Sequence, residues 1–164
     1  MSQMSATEWL NDVEDQAWRG LRRVNLLALA EVSRDLQQDS GLSDADYEVL
    51  TKLSESAGDQ CRSRDLATRT RWSTSRLSHH LGRMEQRGLI NRSPSPDDAR
   101  GSNVTLTASG RATIEAAAPQ HVRSVRRHIF DHLTEEQVTQ LASIVTAIAS
   151  HHDPAPPPAR RRTT

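Results

Sequence analysis

Apolar residues recur at steps of three and four along almost the whole chain. Leu10, Val13, Ala17, Leu21, Val24, Ala28, Val32 and Leu36 hold one stripe, which predicts a single long amphipathic helix. Ser5 with Glu8 three residues on reads as its capping box, and Ser40-Gly41 as its end. A second helix is expected from Ser43 through Tyr47, Leu50 and Leu53 to Ala57-Gly58. A third runs from Ser63, read as its cap, to about Thr70, with Asp65 in its first turn. A fourth runs from Ser73 to Arg87, closed by Gly88, with Leu77, Leu81 and Met84 on its inner face. The period then changes. Leu89 to Arg92 and Asn103 to Leu106 are short strand-like runs flanking a stretch dense in Ser, Pro, Asp and Gly, which predicts a β-hairpin with a long tip. Thr107 caps a fifth helix with Ile114, Ala118, Val122, Val125 and Ile129 as its stripe, and Pro119 inside it predicts a kink. Thr134 with Gln137 opens a sixth, striped by Val138, Leu141, Val145 and Ile148. The Pro- and Arg-rich residues 153–164 have no apolar anchor and are expected to be disordered.

The predicted class is therefore mainly α with a small β-hairpin wing. Residues 41–107 read as a compact winged helix-turn-helix. Residues 8–40 and 108–152 form a helical region whose stripes are separated in sequence by that unit. Those stripes need one another, or a second copy of the chain, to be covered, and an intertwined homodimer is the simple solution.

Composition changes this picture in two places. The chain has 164 residues, 35% hydrophobic but only 3% aromatic, so the core is aliphatic. Its 21 basic and 21 acidic residues give zero formal charge, which by itself speaks against a nucleic-acid partner. By segment the zero dissolves: residues 1–61 carry a net −7, residues 62–111 a net +6 and residues 112–164 a net +1. The basic block coincides with the third and fourth helices and the hairpin. One cysteine, Cys61, excludes an internal disulfide and a cysteine-rich zinc site. No apolar run approaches a membrane span, and the N-terminal stretch lacks the basic flank and apolar core of a secretory signal, so a cytoplasmic protein is expected.

The chemistry points to double-stranded DNA. In a helix-turn-helix the second helix lies in the major groove and reads base edges near its N-terminus. With Leu77, Leu81 and Met84 turned inward, Ser73, Thr74, Ser75, Arg76, Ser78 and His79 are left outward there, and these side chains suit base edges and phosphates. Of the pair His79-His80, only one can face the groove well, and His79 is the expected one. Arg69, Arg71, Arg83 and Arg87 are candidate phosphate contacts. Arg100 beside Gly101 on the hairpin can enter the minor groove, and Asp98 can fix its guanidinium.

Taken in order, the motifs resemble a family. Leu66-Ala67, the run Arg83-Met84-Glu85 closing on Gly88-Leu89-Ile90, Asp98 and Arg100 with one residue between, and Leu106-Thr107 followed by Gly110 are similar to the MarR family of bacterial transcriptional regulators. Each motif alone is weak, but the set at this spacing is specific, and the helix order matches over about residues 8–150. The resemblance implies an obligate homodimer built from the terminal helices and a pseudo-palindromic operator. It implies major-groove contact by the fourth helix and minor-groove contact by Arg100 steadied by Asp98. It also implies repression released by a small effector. Trp72 departs from the family pattern, where a small aliphatic residue is usual, and is expected to pack between the two helices.

Three sensor chemistries have candidate residues in the chain. A ligand crevice would use Trp18, Arg22 and Tyr47. A redox sensor would use Cys61, flanked by Arg62 and Arg64 but without a resolving cysteine. A metal sensor would use His121, His128 and His132, although no metal or other cofactor is expected. Outside this class stand an enzyme and a helical interaction module without DNA binding. The first lacks a phosphate-cradling glycine loop and a GxSxG elbow, and the second leaves the basic block unexplained.

Overall fold

The computed structural model describes residues 9–95 and 98–152, with only the backbone described for residue 95 and 98–100 at the hairpin tip. The expected cap at Ser5 and the expected disorder of 153–164 lie outside the described residues.

The first long stripe resolves into three pieces. Helix α1 (Asp12–Val24) is opened by Asn11, whose side chain accepts from Val13 N and Glu14 N while Glu14 reaches back to Asn11 N. A single π-helical turn, Asn25–Leu29, separates it from α2 (Ala30–Ser40). Gly41 closes α2 at φ 68°, a left-handed position that glycine adopts without steric cost. Helix α3 (Asp44–Ser54) carries a capping box between Ser43 and Asp46.

Strand β1 (Gln60–Arg62), α4 (Ser63–Thr70), α5 (Thr74–Gln86), β2 (Ile90–Ser95) and β3 (Asp98–Leu106) complete the winged unit. Ser63 opens α4 as its first helical residue, and Arg62 rather than Ser63 holds the cap position. The sheet is antiparallel in the order β1-β3-β2, with Cys61 opposite Val104 and Arg92 opposite Val104 on the other side. The sequence reading gave two strands. The third is a three-residue run whose pairing lies far along the chain.

Helix α6 (Ala108–His128) runs through Pro119 as one element, and α7 (Glu135–His152) follows a short 3₁₀ turn at Phe130–His132. The Thr134–Gln137 box is present, with Thr134 N donating to Gln137 Oε1 at 2.9 Å and Gln137 N to Thr134 Oγ1 at 3.2 Å. No helix among the described residues is long and apolar enough to cross a membrane.

The core lies in the winged unit and is aliphatic. Leu42, Val49, Leu50, Leu53, Leu66, Leu77, Leu81, Met84, Ile90 and Val104 are essentially inaccessible, joined by Leu36 from α2 and by Ile114 and Ala117 from α6. An anionic latch ties α2 to α6. The Asp35 carboxylate accepts from Ser124 Oγ at 2.6 Å, from Arg127 Nη2 at 2.6 Å and from His128 Nε2 at 2.8 Å. These three donors, Ser124 first, hold Asp35 down at about 2. By contrast Trp9, Val13, Leu21, Leu26 and Leu27 of the N-terminal segment and Ile144, Val145 and Ile148 of α7 remain exposed in the single chain.

Candidate nucleic-acid interface

Helix α4 ends on Arg71 at φ 55°, and Trp72 N returns to Ala67 O at 3.1 Å, which makes the turn into α5 tight. Ser73 caps α5 by accepting from Arg76 N at 3.2 Å. The inner face of α5 is sealed, with Leu77, Leu81 and Met84 buried. Ser73, Thr74, Ser75, Arg76, Ser78 and His79 are all exposed, so the first turns of α5 present hydroxyls, a guanidinium and an imidazole together. His79 faces outward and His80 inward, with 6% of His80 accessible.

The arginines of this region fall into distinct settings. The Arg76 guanidinium lies 4.3 Å over the Trp72 ring, and Trp72 is half-buried against the core, as its expected packing role requires. Arg83 Nη2 is 3.0 Å from His80 Nδ1. Arg87 is tied to the scaffold: its Nη1 donates to Asp46 Oδ2 at 2.7 Å and its Nη2 to Gly41 O at 3.1 Å. Arg69 donates to Ser56 Oγ at 2.7 Å and sits 3.9 Å from Glu55. Glu85, the acid on α5, accepts from Arg92 N at 2.9 Å and Arg92 Nε at 2.8 Å, which fastens the wing strand β2 to α5. The Arg92 side chain, then its backbone N–H, draw Glu85 below the usual carboxylate range.

Asp46 is the hub that sequence reasoning missed. It is 3% accessible, yet it accepts from Ser43 N, Ser43 Oγ and Arg87. Burial pushes its pKa up, but these donors outweigh it and hold the carboxyl below its ordinary value. The signal available in the sequence was Asp46 three residues after a Ser cap. Its partner Arg87 lies 41 residues on, which no local pattern reveals.

The wing is pinned at its base. Thr107 N and Oγ1 both donate to Leu89 O, and Thr107 Oγ1 also lies 2.7 Å from Gly88 O. Gly110 approaches Leu89 so closely that a Cβ there would stand 2.0 Å from its carbonyl oxygen. This explains the Leu106-Thr107 and Gly110 pattern physically: the threonine caps α6 and the glycine lets that helix close on the wing. Asp98 and Arg100 lie on β3 by backbone, and their side chains are outside the described residues.

The sensor candidates separate. Tyr47 packs on His121 across α3 and α6, with ring centroids 4.4 Å apart and the planes tilted by 41°, and His121 Nδ1 is enclosed with no hydrogen-bond partner. Trp18 is 52% accessible on α1, and three open grooves of about 610–650 Å³ among the described residues contain none of Trp18, Arg22 and Tyr47. The histidines of the metal alternative do not converge in the single chain. His128 is occupied by Asp35, His132 lies beyond the end of α6, and no three His, Cys, Asp or Glu among the described residues form a cluster able to hold a metal ion. Cys61 is a free thiol, partly buried in β1.

A recognition-type helix with a polar outer face, set beside a two-stranded wing on a sealed aliphatic core, defines a winged helix-turn-helix protein of the DNA-binding class. The sequence profile of the MarR family matches residues 42–102. AbsC, a MarR family transcriptional regulator from Streptomyces coelicolor, is 46% identical, with a TM-score of 0.82 over 88% of this chain and 97% of that one. Sco3205, a MarR family regulator of the same organism solved in complex with DNA, is 34% identical, with a TM-score of 0.85 over 92% and 94%. The HTH-type transcriptional regulator PecS of Dickeya dadantii (strain 3937) is 34% identical over 77 residues, 47% of this chain and 46% of PecS, so that match spans about half the relative's length. The chain belongs to the MarR family of transcriptional regulators.

Proposed function

We propose that the chain is a homodimeric, cytoplasmic repressor that occupies a pseudo-palindromic promoter site. The observation that carries this reading is the outer face of α5: six exposed polar side chains at its first turns, over an inner face that is fully sealed. Ser73, Thr74, Ser75, Arg76, Ser78 and His79 contact base edges in the major groove. Arg69, Arg71, Arg83 and Arg87 meet phosphates, and Arg87 also holds α5 to the scaffold through Asp46 and Gly41 O. Arg100, steadied by Asp98, enters the minor groove. The likeness to Sco3205, which binds DNA, supports the same docking.

Residues 41–107 act as the DNA-binding unit and 8–40 with 108–152 as the dimerisation region. The exposed apolar stripes of the N-terminal helices and α7 support this division, because a second copy covers them. A small effector releases the repressor from DNA. Tyr47, which meets His121 of α6, Trp18 and Arg22 remain its candidate lining residues, and a second copy of the chain is needed to enclose a site around them.

The test is selection of bound fragments from the source genome, followed by footprinting. The reading requires two half-sites about one helical turn apart and, for Arg76→Ala or His79→Ala, loss of preference at one position of each half-site. Equal weakening on every sequence would reduce these residues to phosphate contacts. A single unpaired half-site would remove the dimer.

A further inference from the structure

The outward arginines of α5 are held before any DNA arrives, and the holding runs inward to a buried acid. Arg83 Nη2 lies 3.0 Å from Nδ1 of His80. A guanidinium can only donate, so Nδ1 is the acceptor and the proton of the neutral ring sits on Nε2. That Nε2 is enclosed, 3.2 Å from Oδ1 of Asp46 but out of line for a full hydrogen bond. The other Asp46 oxygen is taken by Ser43 and Arg87. Oδ1 therefore faces the ring edge and favours the Nε2–H tautomer, which is the one that leaves Nδ1 open to Arg83.

We propose that His80, oriented by Asp46, is a positioning residue that fixes the Arg83 guanidinium in its DNA-binding geometry. The ring cannot turn over freely, because Trp72 meets it edge-on with centroids 5.3 Å apart at 88°. Burial, first, and the charges of Arg83, Arg87 and Arg76 keep His80 neutral against the opposing pull of Asp46. Asp46 from α3, Arg76 and Arg83 from α5 and Arg87 at the C-cap of α5 are the charged groups facing it; Gln37 and Gly41 on the α2 side are neutral. A protonated ring would have no lone pair for Arg83 and would repel it.

The proposal rests on the reading that Arg83 meets DNA. A side chain ordered in advance does not pay its ordering entropy on binding, which amounts to roughly two- to tenfold in affinity. The experiment is a double-mutant cycle in operator affinity. Arg83→Ala is measured in three backgrounds, wild type, His80→Leu and His80→Asn, in the full chain. Thermal unfolding of each variant confirms that it folds. Asparagine supplies an acceptor oxygen close to the Nδ1 position and does not titrate.

In wild type, Arg83→Ala weakens binding. In His80→Leu the same change costs two- to tenfold less, and in His80→Asn the full cost returns. Nitrogen-15 NMR of the histidine rings finds His80 as the Nε2–H tautomer. If Arg83→Ala has no effect in wild type, the phosphate-contact reading fails. If it costs the same in all three backgrounds, or if His80 carries its proton on Nδ1, the positioning role is overturned while the contact reading stands.

Discussion

Glycine to alanine inside a helix ordinarily stabilises by about 1 kcal/mol, and at Gly110 it will do the opposite. The added Cβ would stand 2.0 Å from Leu89 O and 3.0 Å from both Leu89 C and Leu106 Cδ1. Neither backbone atom can rotate away, so α6 or the base of the wing must retreat by more than about 1 Å to reach van der Waals distance. The same carbonyl accepts from Thr107 N at 3.2 Å and Thr107 Oγ1 at 3.1 Å, and retreat loosens both. Overpacking costs about 1–3 kcal/mol and a weakened cap about 0.5–2 kcal/mol. Set against the propensity gain, Gly110→Ala destabilises by about 2 kcal/mol. Gly82, inside α5 with nothing within 4 Å of a built Cβ, is the internal control, and Gly82→Ala stabilises by up to about 1 kcal/mol. Urea unfolding followed by circular dichroism reads both, at one protein concentration, because association shifts the midpoint. A Gly110→Ala protein as stable as wild type would refute the close approach of α6 to the wing.

Two further outcomes follow from other parts of the structure. Arg100→Ala weakens operator binding by about 1–3 kcal/mol with an unchanged unfolding midpoint, and an unchanged equilibrium titration would remove the wing from the interface. Stability declines on acidification in two stages. His80 has its pKa lowered in the fold, so the unfolded chain gains a proton first, and stability falls as pH drops below the ordinary histidine value of 6.5. Asp35 and Asp46 are held below the ordinary carboxylate value of 3.8, so their contribution is full above it and is lost as pH falls, for Asp35 through about 2. Urea midpoints across pH check this, and His80→Asn removes the upper stage only. A flat profile down to the carboxylate range in wild type would contradict the burial of a neutral His80.

Local signals were readable where one residue or one turn decides the outcome. The caps at Ser43, Ser73, Thr107 and Thr134 and the inward face of Leu77, Leu81 and Met84 are set by hydroxyl chemistry and by the 3.6-residue period. The outward turn of His79 follows from that same period. What escaped depends on distant partners. β1 is only Gln60–Arg62 and exists because β3 offers it a free edge. Arg87 reads as a phosphate ligand by charge, and only the folded chain brings Asp46 and Gly41 O to it. The π-helical turn at Asn25–Leu29 leaves the apolar stripe intact, so no break shows in the pattern. Val13 and Leu21 keep that stripe, and Ile148 the stripe of α7, yet all three stay exposed, because hydrophobic periodicity gives the face and not the surface that covers it.

The central claim is that the basic block around α5 and the wing binds DNA through phosphates as well as bases. The most direct test is the affinity of the purified protein for its best selected fragment as a function of salt. Several phosphate contacts per subunit predict a straight log–log plot with a slope of roughly −0.9 per contact, and replacing Arg83 by alanine should flatten it by about one contact per subunit. An affinity that does not change with salt would contradict the account.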